Sequence, residues 1–323
     1  MDDTIAGILD EISGSQMAIF IGRNDTGKST LIKRIADVVD VSIIDADIGQ
    51  SDIGPPTVVS LGERNDKSYH MVDGYFCGST TPAKHFLQLI AGMARMAGRV
   101  KRGPVLVNTT GLATGEVGRM LKTEKINALR PDVIIGLGGG LEYLDAFARA
   151  GASVIHLPVY PAVQRKTPSE RKTIRQSKFK EHFENAVTVC RSFDSFSVER
   201  SLFLNGTSFK DGEMILHADI SDGEALAVVA DKSWDPKAFI KLRNIKAMQV
   251  YSPEDFTNVL VGLVDSEGKF AGLGIINLID FKNEEISLLT PARSFSVIQF
   301  GSIKLDPKDF NYRGSFSGHV YRA

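Results

Sequence analysis

The chain is poor in several features that would mark it early. Among 323 residues there are two cysteines, Cys77 and Cys190, and a single tryptophan. One conceivable pair makes no disulfide framework, so a reducing cytoplasmic setting is expected. The six histidines, His70, His85, His156, His182, His217 and His319, show no ligand spacing, and no zinc signature can be assembled from them and the cysteines. No apolar run approaches the roughly 20 residues that span a bilayer. The longest, around Val133–Leu137 and Val259–Val264, are short and glycine-broken, so no membrane partner is expected. The opening MDDTIAGILDEI is acidic and lacks the basic-then-apolar order of a signal peptide. Neither charge dominates: 38 Lys and Arg against 39 Asp and Glu give a net charge of −1. That excludes a uniformly basic surface for coating nucleic acid, but not a local basic site.

What is present is an ordinary globular composition, 43% hydrophobic and 24% charged, in a chain long enough for two domains. Residues 1–200 alternate short β-branched apolar runs (16–22, 41–47, 104–111, 131–139 and 152–159) with helical patterns (28–39, 82–98, 115–128, 141–150 and 168–185). Nearly continuous apolar strands separated by helices predict an α/β domain: a parallel sheet with helices on both faces. Residues 57–78 fit less well and are expected to form an inserted loop or hairpin. From about residue 201 to 323 short alternating segments are separated by Asn205-Gly206, Asp211-Gly212, Asp222-Gly223 and Glu267-Gly268. That spacing predicts a small, mostly antiparallel, barrel-like β domain, with a frayed polar tail after Phe310.

The strongest motif is Gly22-Arg23-Asn24-Asp25-Thr26-Gly27-Lys28-Ser29, which fits G-x-x-x-x-G-K-[ST] between a strand and a helix. Its glycines let successive amides turn toward phosphate oxygens, and the helix N-terminus adds its positive end. Gly22, Asn24, Asp25, Thr26, Gly27, Lys28, Ser29 and Thr30 are therefore the expected nucleotide contacts. Lys28 would reach the β- and γ-phosphates, and Ser29 would ligate Mg²⁺. The next strand ends Asp45-Ala46-Asp47, with both carboxylates on one side by alternation. Asp47 is expected to organise Mg²⁺ and its water or to accept a proton from an attacking hydroxyl. The strand end Asn108-Thr109-Thr110-Gly111 offers hydroxyls to the γ-phosphate or the metal. The Gly136–Gly140 run lacks dinucleotide-fingerprint spacing and reads as a close approach of strand and helix. Thr167-Pro168-Ser169-Glu170 is a capped helix start. On that helix Arg171, Arg175, Lys178 and His182 form one stripe that repels itself unless an anion is near. The expected device is a mobile lid closing its arginines over the γ-phosphate.

This constellation resembles the P-loop polynucleotide 5′-hydroxyl kinases, which include an RNA kinase subunit of the pre-mRNA cleavage machinery, ribosomal-RNA-processing kinases and archaeal relatives. The resemblance is carried by GRNDTGKST (22–30), DADIGQ (45–50), SDIGPPTVVSL (51–61), FCGSTTP (76–82), NTTGLATG (108–115) and ERKTIRQSKFKEHF (170–183). It implies ATP- and Mg²⁺-dependent phosphorylation of the 5′-hydroxyl end of RNA or DNA, with RNA-processing proteins as partners. It implies roles for Lys28 on the phosphates, Ser29, Asp47, Gln50 and Thr109 around the metal, and Arg171 and Arg175 on the lid. Thr80, Thr81 and Lys178 would contact the substrate, with Thr80-Thr81-Pro82 opening a helix. Eukaryotic members carry an aromatic where this chain has Leu112, and an additional N-terminal domain where this chain shows one short amphipathic helix (Ile5, Ile8, Leu9, Ile12). Adenine contacts are then expected from elsewhere, such as the 157–165 loop, or are missing. The competing reading is a nucleotide-binding scaffold or switch without turnover; no [NT]-K-x-D guanine-reading segment is present.

Overall fold

The structure, a computed structural model of the chain, describes residues 3–65, 68–160, 163–211 and 213–322. It divides into two compact units, residues 1–178 and 179–323. The division thus falls at Lys178 rather than near residue 200. The reason is pairing: the segment after residue 186 enters the second unit's sheet and none of the first unit's.

The first unit runs α1 (Asp3–Ser13), β1 (Met17–Gly22), α2 (Lys28–Ala36), β2 (Ser42–Ala46), β3 (Val58–Asn65), β4 (Ser68–Phe76), α3 (Phe86–Ala97), β5 (Val105–Thr109), α4 (Gly115–Leu129), β6 (Val133–Leu137), α5 (Asp145–Ala148), β7 (Ser153–Leu157) and the part of α6 (Pro168–His182) up to Lys178. Its sheet has the order β4-β3-β2-β5-β1-β6-β7. Strands β2, β5, β1, β6 and β7 are parallel, and β1, β2, β5 and β6 are buried almost throughout, as strands covered on both faces must be. The 57–78 insertion is the β3–β4 hairpin, which extends β2 antiparallel. One apolar layer joins α3 and α4 to the sheet through Leu89, Met93, Met96, Leu121 and Ile126. The other joins α1 and α2 through Ile8, Ile12, Leu31, Ile32 and Ile35; the side chain of Ile5 lies outside the described residues. Because β1 is flanked by β5 and β6, the loop leaving it emerges at the middle of the sheet's carboxyl edge, where ligands bind in open α/β sheets.

The second unit contains β8 (Val187–Ser192), β9 (Ser197–Glu199), β10 (Thr207–Phe209), β11 (Ile215–Ser221), β12 (Glu224–Val229), α7 (Lys237–Leu242), β13 (Ala247–Tyr251), α8 (Pro253–Phe256), β14 (Val259–Val264), β15 (Phe270–Asp280), β16 (Glu285–Thr290), β17 (Val297–Leu305), β18 (Tyr312–Ser315) and β19 (His319–Arg322). Instead of a barrel it forms two open sheets, β10-β11-β12-β13-β19 and β18-β17-β14-β15-β16-β8, with β9 beside β17. Pairing is antiparallel except for β12–β13 and β9–β17. The tail is not frayed: β18 pairs β17, β19 pairs β13, and Phe316 stacks on Tyr251 with ring centroids 5.1 Å apart. The aromatic anchor compensates for the tail's polar composition. No described helix is long and apolar enough to cross a membrane.

Candidate active site

The loop after β1 folds as a phosphate nest should. Gly27 has φ +94°, and a Cβ there would sit 2.4 Å from Cβ of Tyr160, so only glycine fits. Gly22 is hemmed in as well: a Cβ would meet Thr26 Oγ1 at 2.6 Å and the Leu137 carbonyl at 2.7 Å. Thr26 Oγ1 donates to the Arg23 carbonyl at 3.0 Å, and the Tyr160 amide donates to the Thr26 carbonyl at 3.0 Å. The 157–165 loop is therefore laid against the nest, although Pro161 and Ala162 lie outside the described residues. Lys28 opens α2 and is buried; its Nζ donates to the Gly22 and Arg23 carbonyls at 3.0 and 2.8 Å. Burial lowers its pKa, opposed by the negative charges of Asp47 and Asp25.

The acidic strand end divides its work. Asp45 faces inward. Its carboxylate accepts from the amides of Asp47, Asp52 and Ile53 at 3.1, 2.6 and 3.1 Å, and from Asn108 Nδ2 at 3.0 Å. Burial, reinforced by the charges of Asp52 and Asp47, pushes its pKa up to about 7 despite those amides. Asn108 Nδ2 also reaches Ser29 Oγ at 3.3 Å, so Asp45 is tied to the metal-side hydroxyl through one amide. Asp47 faces the cleft, and its Oδ1 accepts from the Gly49 and Gln50 amides at 3.2 and 3.1 Å. Gln50 Nε2 donates to the Gly49 carbonyl at 2.7 Å and the Arg171 carbonyl at 3.2 Å, and its buried Oε1 has no partner.

The start of α6 borders the same cleft. Arg171 pairs with Asp25 of the nest, whose Oδ2 also accepts the Lys166 amide at 3.3 Å. The predicted cap is formed: Glu170 accepts from Thr167 Oγ1 at 2.8 Å, and Thr167 Oγ1 from the Glu170 amide at 3.2 Å. A cleft of about 140 Å³ is lined by Asn24, Asp25, Gly27, Lys28, Ser29, Thr30, Asp47, Gln50, Arg171 and Lys178 among others. Most of the residues singled out in the sequence thus meet in one place.

Others do not. Thr109 is turned inward: its hydroxyl donates to the Phe20 carbonyl at 2.7 Å and accepts from Lys122 Nζ at 2.9 Å. With no exposed surface and both roles spent, it is not placed to hold a metal. Thr80 and Thr81 do not open a helix, because α3 starts at Phe86; they belong to a turn in which the Thr81 amide donates to Ser79 Oγ at 3.2 Å. The turn nonetheless borders the acidic loop, since a Cβ on Gly49 would lie 2.7 Å from the Thr80 carbonyl. Arg175 is half-buried beside Arg171 and does not line the cleft; burial and that neighbour lower its pKa. His182 leaves the stripe: its Nε2 accepts the Leu273 amide at 3.0 Å, and burial brings its pKa down to about 4.

Two residues went unread in the sequence. Lys122 and Lys125 on α4 have essentially no exposed surface. Lys122 Nζ donates to Thr109 Oγ1 at 2.9 Å and to the Thr110 carbonyl at 2.5 Å, whereas Lys125 Nζ has no hydrogen-bond partner. Burial lowers both pKa values, that of Lys125 to about 8. The signal was available. Gly118, Leu121, Lys122, Lys125 and Ile126 follow the core spacing of an amphipathic helix, and lysines at such positions are buried by register.

The donor set also fits a hard divalent cation. Ser29, Asp47 and Gln50, whose Oε1 is unpartnered, bring oxygen donors to the lining of one cleft. The described residues hold no cluster of three or more His, Cys, Asp or Glu able to form a cage by themselves. That sparse set is what Mg²⁺ uses when phosphates supply the other oxygens.

Comparison with known proteins agrees with this geometry. The family model described as mRNA cleavage and polyadenylation factor CLP1 P-loop matches residues 22–185. The chain is 32% identical over 310 residues to a polyribonucleotide 5′-hydroxyl-kinase of Pyrococcus furiosus, covering 88% of this chain and 86% of that one. It is 32% identical over 318 residues to the enzyme of that name from Methanocaldococcus jannaschii, covering 89% and 86%. Among solved structures, the wild-type Clp1p–Pcf11p complex matches with a TM-score of 0.63 at 11% identity, over 94% of this chain and 79% of that chain, a likeness of fold.

Proposed function

We infer the activity from one premise: the chain belongs to the CLP1 P-loop family. It is an ATP-dependent polynucleotide 5′-hydroxyl kinase, and its acceptor is the 5′-hydroxyl end of RNA. The observation that carries this reading is the convergence of Lys28, Asp47 and Arg171 on one cleft around the nest. RNA-processing proteins are the partners expected for a member of this family.

In the reaction the 5′-hydroxyl oxygen attacks the γ-phosphorus of ATP in line, the bond from that phosphorus to the bridging β–γ oxygen breaks, and ADP leaves. Such transfer needs positioning and neutralisation of charge more than covalent chemistry. The amides of 22–29 and the start of α2 receive the phosphate tail, and Lys28 exchanges its carbonyl partners for phosphate oxygens. Asp47, held by the Gly49 and Gln50 amides, orients the hydroxyl and takes its proton, a contribution of roughly 10²–10⁴ in rate. Arg171 is held at the nest by Asp25, so a triphosphate competes with that carboxylate for the guanidinium. Arg175 approaches the γ-phosphate as the lid closes. Ser29, Asp47 and Gln50 would hold Mg²⁺, which when bound neutralises charge on the β- and γ-oxygens.

The test is transfer of label from γ-labelled ATP to matched RNA and DNA oligonucleotides with 5′-hydroxyl ends. Transfer to RNA that disappears in Asp47→Asn supports the reading. Tight ATP binding with no transfer to either end would instead make the protein a nucleotide-dependent scaffold.

A further inference from the structure

The buried lysine Lys122 has no place in the chemistry above, yet it touches the frame that the chemistry depends on. Its Nζ lies under the carboxyl end of β5, bonded to Thr109 Oγ1 at 2.9 Å, the Thr110 carbonyl at 2.5 Å and Thr110 Oγ1 at 3.4 Å. Thr109 Oγ1 in turn donates to the Phe20 carbonyl of β1. One side chain of α4 therefore ties the end of β5 to the helix and, through Thr109, to the strand that delivers the nest. The corner it holds continues into Gly111, which lies directly against the loop: a Cβ there would stand 1.8 Å from Asn24 Oδ1 and 2.5 Å from the Asn24 nitrogen. The N-cap residue of α4 adds a second contact, since Arg23 Nε donates to Thr114 Oγ1 at 3.2 Å.

We propose that Lys122 is a positioning residue for nucleotide binding: it fixes the Thr110–Gly111 corner, and that corner fixes Asn24 and the curvature of the phosphate nest. A buried ammonium is costly to desolvate, and an apolar side chain of equal volume is often as stable or more so. Stability alone therefore gives weak reason for lysine at this core position. Lys125 supplies an internal control. It lies one turn along the same helix, equally buried, but makes no hydrogen bond to β5. If buried positive charge near the phosphates were what mattered, the two lysines would act alike; if the strap matters, only Lys122 controls the nest.

The proposal rests on the phosphate-binding reading of residues 22–29 and not on the identity of the acceptor, so direct nucleotide affinity separates the two. ATP affinity is measured by titration calorimetry, and the KM values for ATP and for a 5′-hydroxyl oligoribonucleotide by the labelling assay, in full-length wild type, Lys122→Met and Lys125→Met. Lys122→Met is expected to weaken ATP binding and raise the ATP KM by about tenfold, the weight of one or two ordinary hydrogen bonds lost from the corner. The oligonucleotide KM should stay within about twofold, and Lys125→Met should leave the ATP KM within about twofold. Should Lys122→Met fail to fold, Lys122→Gln, which keeps a shorter donor, is measured below its melting temperature and should give an intermediate ATP affinity. An unchanged ATP affinity in the folded Lys122 variant, or equal losses in both lysine variants, overturns the proposal. ATP binding without transfer in the wild type would overturn only the kinase reading.

Discussion

The two units differ in how much buried polarity they leave unpartnered. The second is organised around aromatic rings: Phe203 lies within 6.1 Å, centroid to centroid, of Phe193, Phe256, Phe281 and Phe300. In its buried pair His217 Nε2 and Asp219 meet at 2.7 Å, and Asp219 also accepts the Leu204 amide and Ser208 Oγ, while His217 Nδ1 has no partner. The first unit leaves loose ends. Gln50 Oε1, Asn108 Oδ1 and Lys125 Nζ are buried without partners, and Asp45 and two lysines sit in the interior. Most buried polar groups in folded proteins are satisfied, and the exceptions call for a reason. Here Gln50 lines the cleft at the nest and Asn108 bonds Ser29 of its rim, while Lys125, Thr57 and Ser60 do not line it. The first unit thus places part of its open polarity at the candidate cleft, and the second unit packs around rings.

The sharpest way to break that contrast is to exchange its consequences. Lys28→Ala should lower kcat by on the order of 10²–10³ or more while leaving urea unfolding nearly unchanged, because the only bonds lost are to the carbonyls of its own loop. Phe203→Ala should do the reverse, costing about 3–5 kcal/mol of stability as a fully buried ring is removed, with the ATP KM of the remaining folded protein intact. A stability loss in the first variant comparable to that in the second would end the contrast. Next in size is Gly111→Ala. The added methyl would meet backbone and side-chain atoms of Asn24, so the nest must shift. ATP affinity should fall by about tenfold, roughly 1.4 kcal/mol, as read by calorimetry. Tolerance of alanine there would show that the nest does not lean on this corner.

Much of the first unit was legible because its signals are local. A glycine-bracketed lysine after a β-branched run fixes strand, loop and helix at once, and the Thr167–Glu170 box fixed the start of α6. What could not be read was direction. Thr109 ends β5 and Thr110 follows it, and nothing local tells that both are buried with Lys122 reaching both hydroxyls. Asp45 and Asp47 share a side of the chain, but only the turn at residues 47–53 buries the first and leaves the second lining the cleft. In the second unit the strand runs were visible, but not their closure into two sheets. The tail was misread because Phe316 and Tyr251 meet only in the folded chain.

Asp45 sharpens the comparison through pH. Its carboxyl is pushed up to about 7 by burial and by its acidic neighbours, against about 3.9 in an unfolded chain. The folded state therefore binds the proton more tightly. The stability this contributes is complete below about pH 4 and is lost as pH rises to about 7. In urea titrations without nucleotide, Asp45→Asn should flatten that decline, whatever its effect on absolute stability. An unchanged slope would mean that the inward carboxyl is not the group being titrated.

The smallest effects belong on the surface, where the two units should not differ at all. Lys33 pairs with Asp52 at 2.6 Å and Lys232 with Asp255 at 3.0 Å, and both lysine side chains are 61% exposed. Exposed pairs are screened by solvent and carry the entropy cost of holding a long side chain, so each is worth about 0–1 kcal/mol. Neither partner depends on its lysine for position. Asp255 keeps the capping box with Ser252, whose amide it accepts at 2.8 Å, and Asp52 keeps its amide bond to Asp45. Lys33→Ala and Lys232→Ala should therefore give small and equal shifts in the urea midpoint. A markedly larger loss for Lys33→Ala would show that the polar frame of the first unit extends to its surface, and that its difference from the second is not confined to buried groups.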